Sequence, residues 1–141
     1  MDEIIIIVEA KPAMEVLCAV PFRDKTITEL DVGGQNLGVE GALVVSRYLE
    51  NNRALVKFDV SKNNLGKEGT KALAEALNGN QIMAELNLAG NSMGKNGAMD
   101  IAKTIPTMGA LTSLNVSNNG IGSGGDTSGV KALAAAIPEC R

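Results

Sequence analysis

Residues 122–131 read GSGGDTSGVK, between an apolar run at 111–116 and the helix-forming KALAAAI. A glycine-rich loop between strand and helix, with a lysine close by, is how many nucleotide enzymes cradle phosphate. Gly124 and Gly129 have the GxxxxG spacing, but Val130 intervenes before Lys131. Ala132 stands where Ser or Thr must hold magnesium. With the lysine displaced and the metal ligand missing, phosphate binding is not expected. A second stretch, DVSKNNLGKEGT (59–70), places Asp59, Ser61 and Asn63 at the first, third and fifth positions of a calcium loop. The glycine that such a loop needs is Asn64, and its terminal Glu is Thr70, so calcium binding is not expected either.

Composition narrows the chemistry further. The chain has 141 residues, enough for one domain with its own core. It contains no His, which removes Ser–His and Cys–His catalysis and the commonest metal ligand. Cys18 and Cys140 are far apart and form no CxxC pair, as befits reduced thiols in a reducing compartment. Thirteen basic residues against sixteen acidic give a net charge of −3, and aromatics are 2%. Such a chain offers neither a basic stripe nor stacking platforms for nucleic acid. It has little attraction to an anionic membrane surface. The apolar run Ile4–Val8 follows acidic residues and is too short for a membrane span or a signal core. A cytoplasmic, non-enzymatic protein without cofactor or metal is expected.

The elements that position these residues come from a repeat. ITELDVGGQNLG (27–38), LVKFDVSKNNLG (55–66), MAELNLAGNSMG (83–94) and LTSLNVSNNGIG (111–122) align without gaps, each 28 residues after the last. Leu30, Phe58, Leu86 and Leu114 form one apolar column; Val32, Val60, Leu88 and Val116 form the next, alternating with polar residues as a half-buried strand does. Past the strand come Gln35, Asn63, Asn91 and Asn119, amides able to satisfy backbone groups at a turn. A helix pattern follows: Gly41, Val45, Leu49 recurs as Gly69, Leu73, Leu77 and as Gly97, Ile101, Ile105. The four-residue spacing puts the apolar pair on one helix face. One strand–turn–helix unit cannot bury its apolar face alone, but a stack can.

This pattern, LxxLxLxxNxL with a GxxxLxxxL helix, resembles the leucine-rich repeat, and its 28-residue period looks like the ribonuclease-inhibitor-like subclass. The resemblance covers about residues 23–141, departing where Gln35 replaces Asn and Phe58 replaces Leu. It implies an α/β solenoid, a horseshoe arc with parallel strands on the concave face and helices on the convex face. Residues 1–22 fit a degenerate capping repeat, and 23–141 four repeats. The glycine loop is then an ordinary repeat link with four extra residues, Gly129 replacing Gly69 and Lys131 replacing Lys71. Asp126, Thr127 or Ser128 could cap the helix that follows, and this loop is a second candidate surface.

In such an arc the outward strand positions form three ladders: Glu29, Lys57, Glu85, Ser113; then Asp31, Asp59, Asn87, Asn115; then Gly33, Ser61, Ala89, Ser117. The first two carry four acids and one Lys, a shallow acidic-to-neutral trough suited to a protein partner with a basic patch. The competing reading is that small polar residues only keep a crowded strand face soluble. Convex Lys67, Glu68, Lys71 and Glu75 read as a solvated helix face. No polar cap is visible where the sequence stops, which leaves three readings open: the final helix ends the stack, the chain self-associates through its open solenoid ends, or the sequence is a piece of a longer protein. Two other functions stay open: regulation of a small GTPase, since Ran GTPase-activating proteins share this repeat type, and a structural piece of a larger receptor or cytoskeletal protein.

Overall fold

The structure, a computed structural model, describes residues 26–137. The segment read as a capping repeat, 1–22, and both cysteines lie outside the described residues. Four units follow one another: β1 (Glu29–Asp31) and α1 (Gly38–Asn51), β2 (Lys57–Asp59) and α2 (Gly66–Leu77), β3 (Glu85–Asn87) and α3 (Gly94–Thr104), β4 (Ser113–Asn115) and α4 (Ser128–Ala136). The strands make one parallel sheet in chain order. Leu30 pairs with Phe58, Phe58 with Leu86 and Leu86 with Leu114, so the 28-residue period is also the sheet register. Strands this short have no independent stability; each is held by its neighbours.

The core fills the space between sheet and helices. Val60, Leu65, Leu73, Leu77, Leu88 and Met83 are fully enclosed, and Phe58 sits among them at 2% exposure. The helical columns close from the other side through Val45, Leu73 and Ile101. Adjacent helices approach closely because one column is glycine. A Cβ on Gly69 would lie 3.0 Å from the Cβ atoms of both Ala42 and Leu65. One on Gly129 would lie 2.9 Å from Ile121 Cγ2 and 3.0 Å from the Cα of Lys95. Gly129 therefore occupies the same crowded spot as Gly69, despite the longer loop before it.

That loop is where the fourth unit departs. The helix-opening Gly38, Gly66 and Gly94 have φ of +64°, +65° and +63°, whereas Gly122 has −107°. A 3-10 turn (Ser123–Gly125) inserts before α4. α4 is correspondingly shorter, and Ile137 beyond it is 53% exposed.

Candidate functional site

Two rows of polar side chains frame the sheet, and they differ in how far they are already used. At the turn after each strand, the Asn63 side chain is completely enclosed. Its Oδ1 accepts hydrogen bonds from the N–H groups of Gln35 (2.9 Å) and Leu37 (3.2 Å) of the preceding unit. Its Nδ2 donates to the carbonyls of Val32 (2.8 Å) and Val60 (3.0 Å). Asn91 and Asn119 repeat this, their Oδ1 atoms accepting from Asn63 N and Asn91 N at 2.8 Å. These amides are seams between units, which also disposes of the calcium-loop reading of Asn63: its oxygen is committed to backbone. Gln35 departs, being exposed and donating only weakly, at 3.3 Å, to its own unit's Gly33 carbonyl.

The second predicted ladder carries a structural task that the sequence reading missed. The Oδ1 atoms of Asp31, Asp59, Asn87 and Asn115 each accept the N–H two residues on, at Gly33, Ser61, Ala89 and Ser117, over 2.9–3.1 Å. An Asp or Asn two residues before a turn is the signal for this, since such side chains mimic a backbone turn. Asp and Asn serve equally well as acceptors, so the turn does not explain why the first two positions are acids.

The trough itself has a volume of about 380 Å³. Glu29, Asp31, Lys57, Asp59, Glu85, Asn87, Ser113 and Asn115, all proposed from sequence, line it. Ser61 does not; it lies past β2, in the turn that Asp59 holds. Lys57 lies between two acids, its Nζ 3.4 Å from Glu29 Oε1 and 3.9 Å from Glu85 Oε1. All three side chains are about half exposed or more, so these pairs add little stability. They do offset part of the first ladder's charge. One lysine against two glutamates leaves the first ladder acidic, and Asp31 and Asp59, Cα partners on adjacent strands, add two further acids, with Asp59 Oδ2 also accepting from Asn87 Nδ2 at 3.0 Å. The trough is acidic over β1 and β2 and neutral over β4.

Asp126, Thr127 and Ser128 lie apart from this trough. Asp126 Oδ1 accepts from the N–H (3.0 Å) and Oγ (2.6 Å) of Ser128, bracing the start of α4. Thr127 makes no side-chain cap bond. Asp126 Oδ2 accepts from Lys95 Nζ of α3 at 2.6 Å. The Lys95 hydrogen bond, then those from Ser128, hold the Asp126 carboxyl well below the usual carboxylate range. The loop's acid is thus spent on tethering the loop. Lys131, the displaced P-loop lysine, is exposed on α4.

Sequence reasoning also missed a second amide pair, where helices run into strands. Asn52 Oδ1 accepts from Ala54 N and Leu55 N, and Asn80 Oδ1 from Ile82 N and Met83 N, at 2.7–2.8 Å. These asparagines are themselves 28 residues apart, so the period carried the signal. They border a groove of about 340 Å³, at the helix ends, with Glu50, Arg53 and Gln81.

Comparison with known proteins agrees with this architecture. A family profile described as "Leucine Rich repeat" matches residues 51–74, 79–102 and 111–125. A solved structure titled "Leiomodin-1 Actin-Binding Site 2 (ABS2)" superimposes with a TM-score of 0.72 at 22% identity, covering 87% of this chain and 70% of that one. No curated protein matches the sequence.

Proposed function

We propose that this chain, an α/β leucine-rich repeat solenoid, is a non-enzymatic protein-interaction scaffold whose concave strand face receives a partner bearing a basic patch. Leucine-rich repeats generally serve as protein-interaction modules, which supports the coarse reading. The observation that carries the finer one is the trough over β1 and β2. Asp31 and Asp59 stand there as paired acids, where Asn would hold the same turns, as Asn87 and Asn115 do. Opposed charge there speeds encounter and selects partners more than it adds affinity. We assign the repeats to the ribonuclease-inhibitor-like subclass, on the 28-residue period and the full α-helix in each unit. Among the described residues no helix is long and apolar enough to cross a membrane, and we place the protein in the cytoplasm.

The test removes the charge and keeps the turns. Glu29→Lys and Glu85→Lys are combined with Asp31→Asn and Asp59→Asn, which preserve the side-chain acceptors. Wild type and variant of equal melting temperature are used as bait in extracts of the source cell. A partner captured by wild type and lost by the variant supports the trough; a partner kept by both sinks it. The leiomodin-1 likeness is one of fold, and it nominates actin as the first defined partner to try by cosedimentation. That result bears on the cytoskeletal reading, and stimulated GTP hydrolysis bears on the GTPase-regulator reading.

A further inference from the structure

Asparagine followed by glycine loses ammonia readily, because no side chain on the glycine shields its nitrogen from the asparagine side-chain carbonyl. The chain contains three such pairs, Asn78-Gly79, Asn96-Gly97 and Asn119-Gly120, and the fold treats them differently. Asn119 is 3% exposed. Its Oδ1 accepts from the Asn91 N–H, and its Nδ2 donates to the carbonyls of Leu88, Val116 and Ser117, so its amide is locked in the seam. Asn96 is exposed, but it lies in the first turn of α3, where the Gly97 N–H donates to the Met93 carbonyl at 3.1 Å. Gly97 is packed so tightly that a Cβ there would stand 2.6 Å from Met93 Cβ and 3.3 Å from Thr70 Cγ2 of α2. Neither backbone can swing without opening a buried contact.

Asn78-Gly79 is the exception. It lies just past α2, in the exposed turn that leads toward β3. Asn78 has left helical geometry, with φ −58° and ψ +123°, and its side chain takes no hydrogen bond among the described residues. Gly79 has φ +78°, and nothing lies within 4 Å of where a Cβ would be. Bringing the Gly79 nitrogen against Asn78 Cγ requires the Asn78 ψ to rotate, and a glycine in open space lets it. Two hydrogen bonds restrain the residues that must move. The Asn80 N–H donates to the Leu77 carbonyl at 2.9 Å, and the Gly79 N–H donates to Thr107 Oγ1 at 2.8 Å across an exposed contact.

We propose that Asn78 is a site of non-enzymatic deamidation selected by the fold, with the Thr107 hydrogen bond as its brake. The Gly79 nitrogen attacks Asn78 Cγ and gives up its proton. The Cγ–Nδ2 bond breaks and ammonia leaves, closing a succinimide ring. Water then opens the ring. Cleavage at Cγ leaves an aspartyl residue at position 78; cleavage at the main-chain carbonyl leaves an isoaspartyl one, with an extra methylene in the backbone. Either product puts a new carboxylate where Asn78 lines a groove of about 500 Å³ with Lys71, Glu75, Asp100 and Lys103. The two lysines there, matched now by two acids, are then outnumbered. The proposal is independent of the concave trough.

The whole protein is incubated at mildly alkaline pH in water enriched in heavy oxygen, then digested in ordinary water and mapped by mass spectrometry. Only residues converted during the incubation carry the label. Label at position 78 is expected to accumulate at least about tenfold faster than at 96 or 119, since exposed turns open more readily than packed helices and seams. The urea-unfolded chain is expected to convert all three at comparable rates. Thr107→Ala is expected to quicken conversion at 78 by about threefold to tenfold, the loss of one net hydrogen bond, and to leave 96 and 119 unchanged. Should that variant fail to fold, the folded and unfolded wild type still decide. Equal labelling of the three positions in the folded protein overturns the proposal, as does the same preference for 78 in the unfolded chain. So does an unlabelled 78 in the folded protein when the unfolded chain converts, and a folded Thr107→Ala that converts no faster removes the brake.

Discussion

The second and third units and the fourth share one sequence template, yet the template buries different amounts of side chain in each place. Phe58, Val60 and Leu65 are 2%, 0% and 0% exposed, and Leu86, Leu88 and Met93 are 3%, 0% and 1%. Leu114, Val116 and Ile121 hold the same columns and are only half-buried. Burial in a solenoid is therefore a property of the pair of units. An apolar residue is covered by the unit behind it and by the unit ahead, and the fourth has only the first among the described residues. The stability of such an array is a sum of unit terms and neighbour terms, and this chain displays both cases side by side.

The largest effect that tests this is a matched pair of truncations. Leu86→Ala is expected to destabilise by about 2–5 kcal/mol, the range for a fully enclosed Leu. Leu114→Ala, in the same column and register, is expected to cost less, since its side chain is only partly buried. Urea unfolding of the two variants measures the gap. Equal losses would mean that each unit encloses its own core, and the neighbour account would fail.

A polar pair sharpens the same contrast. Asn91→Ala strips the carbonyls of Val60 and Leu88 of a side-chain donor and leaves the Asn63 N–H without its acceptor, all within the buried seam. The two carbonyls keep donors in Asn63 Nδ2 and Asn119 Nδ2, so the Asn63 N–H is the group orphaned, at a cost of about 1–3 kcal/mol. Gln35→Ala removes the residue at the same ladder position in the first unit. That side chain is exposed and bonded only to its own turn, so the change is expected to stay within about 0.5 kcal/mol. Hydrogen exchange at the Asn63 amide should quicken in the first variant and hold steady in the second.

What repeats in this molecule was legible in its sequence. Three equal spacings of an apolar–polar alternation gave the parallel sheet, its register and the trough residues, because a period in sequence becomes a stack in space. The Asn63, Asn91 and Asn119 column was read as turn-satisfying, but not as reaching into the preceding unit. The task of Asp31 and Asp59 in holding Gly33 and Ser61 was also missed, although Asp two residues before a turn signals it. The one-off features had no period to reveal them. Lys95 had no partner that spacing could assign, since the inserted loop places Asp126 opposite it from 31 residues away. The 3-10 turn and the shortened α4 follow from the same insertion.

That one-off contact supplies the smallest effect and the last test of the comparison. Internal units are joined by enclosed amides, whereas the inserted loop is joined to α3 by an ion pair whose side chains are 50% and 40% exposed. Hydrogen bonds from Lys95 and then Ser128 depress the Asp126 pKa in the folded state below its ordinary 3.8. A depressed carboxylate contributes stability that is present above the unfolded value and lost as pH falls through the lower folded value. The tether thus survives acidification down to 3.8 and loosens only beneath it. Lys95→Met is expected to move the Asp126 midpoint, read by carboxyl NMR, upward toward the ordinary value. It should stop short of that value because the two Ser128 donors remain. Salt should mimic the variant, since exposed pairs are screened. Faster amide exchange should be confined to 122–128, with the melting temperature nearly unchanged. A fall in melting temperature as large as that of Asn91→Ala would place the exposed tether on the same footing as the buried seams, and the distinction between covered and open units would lose its physical basis.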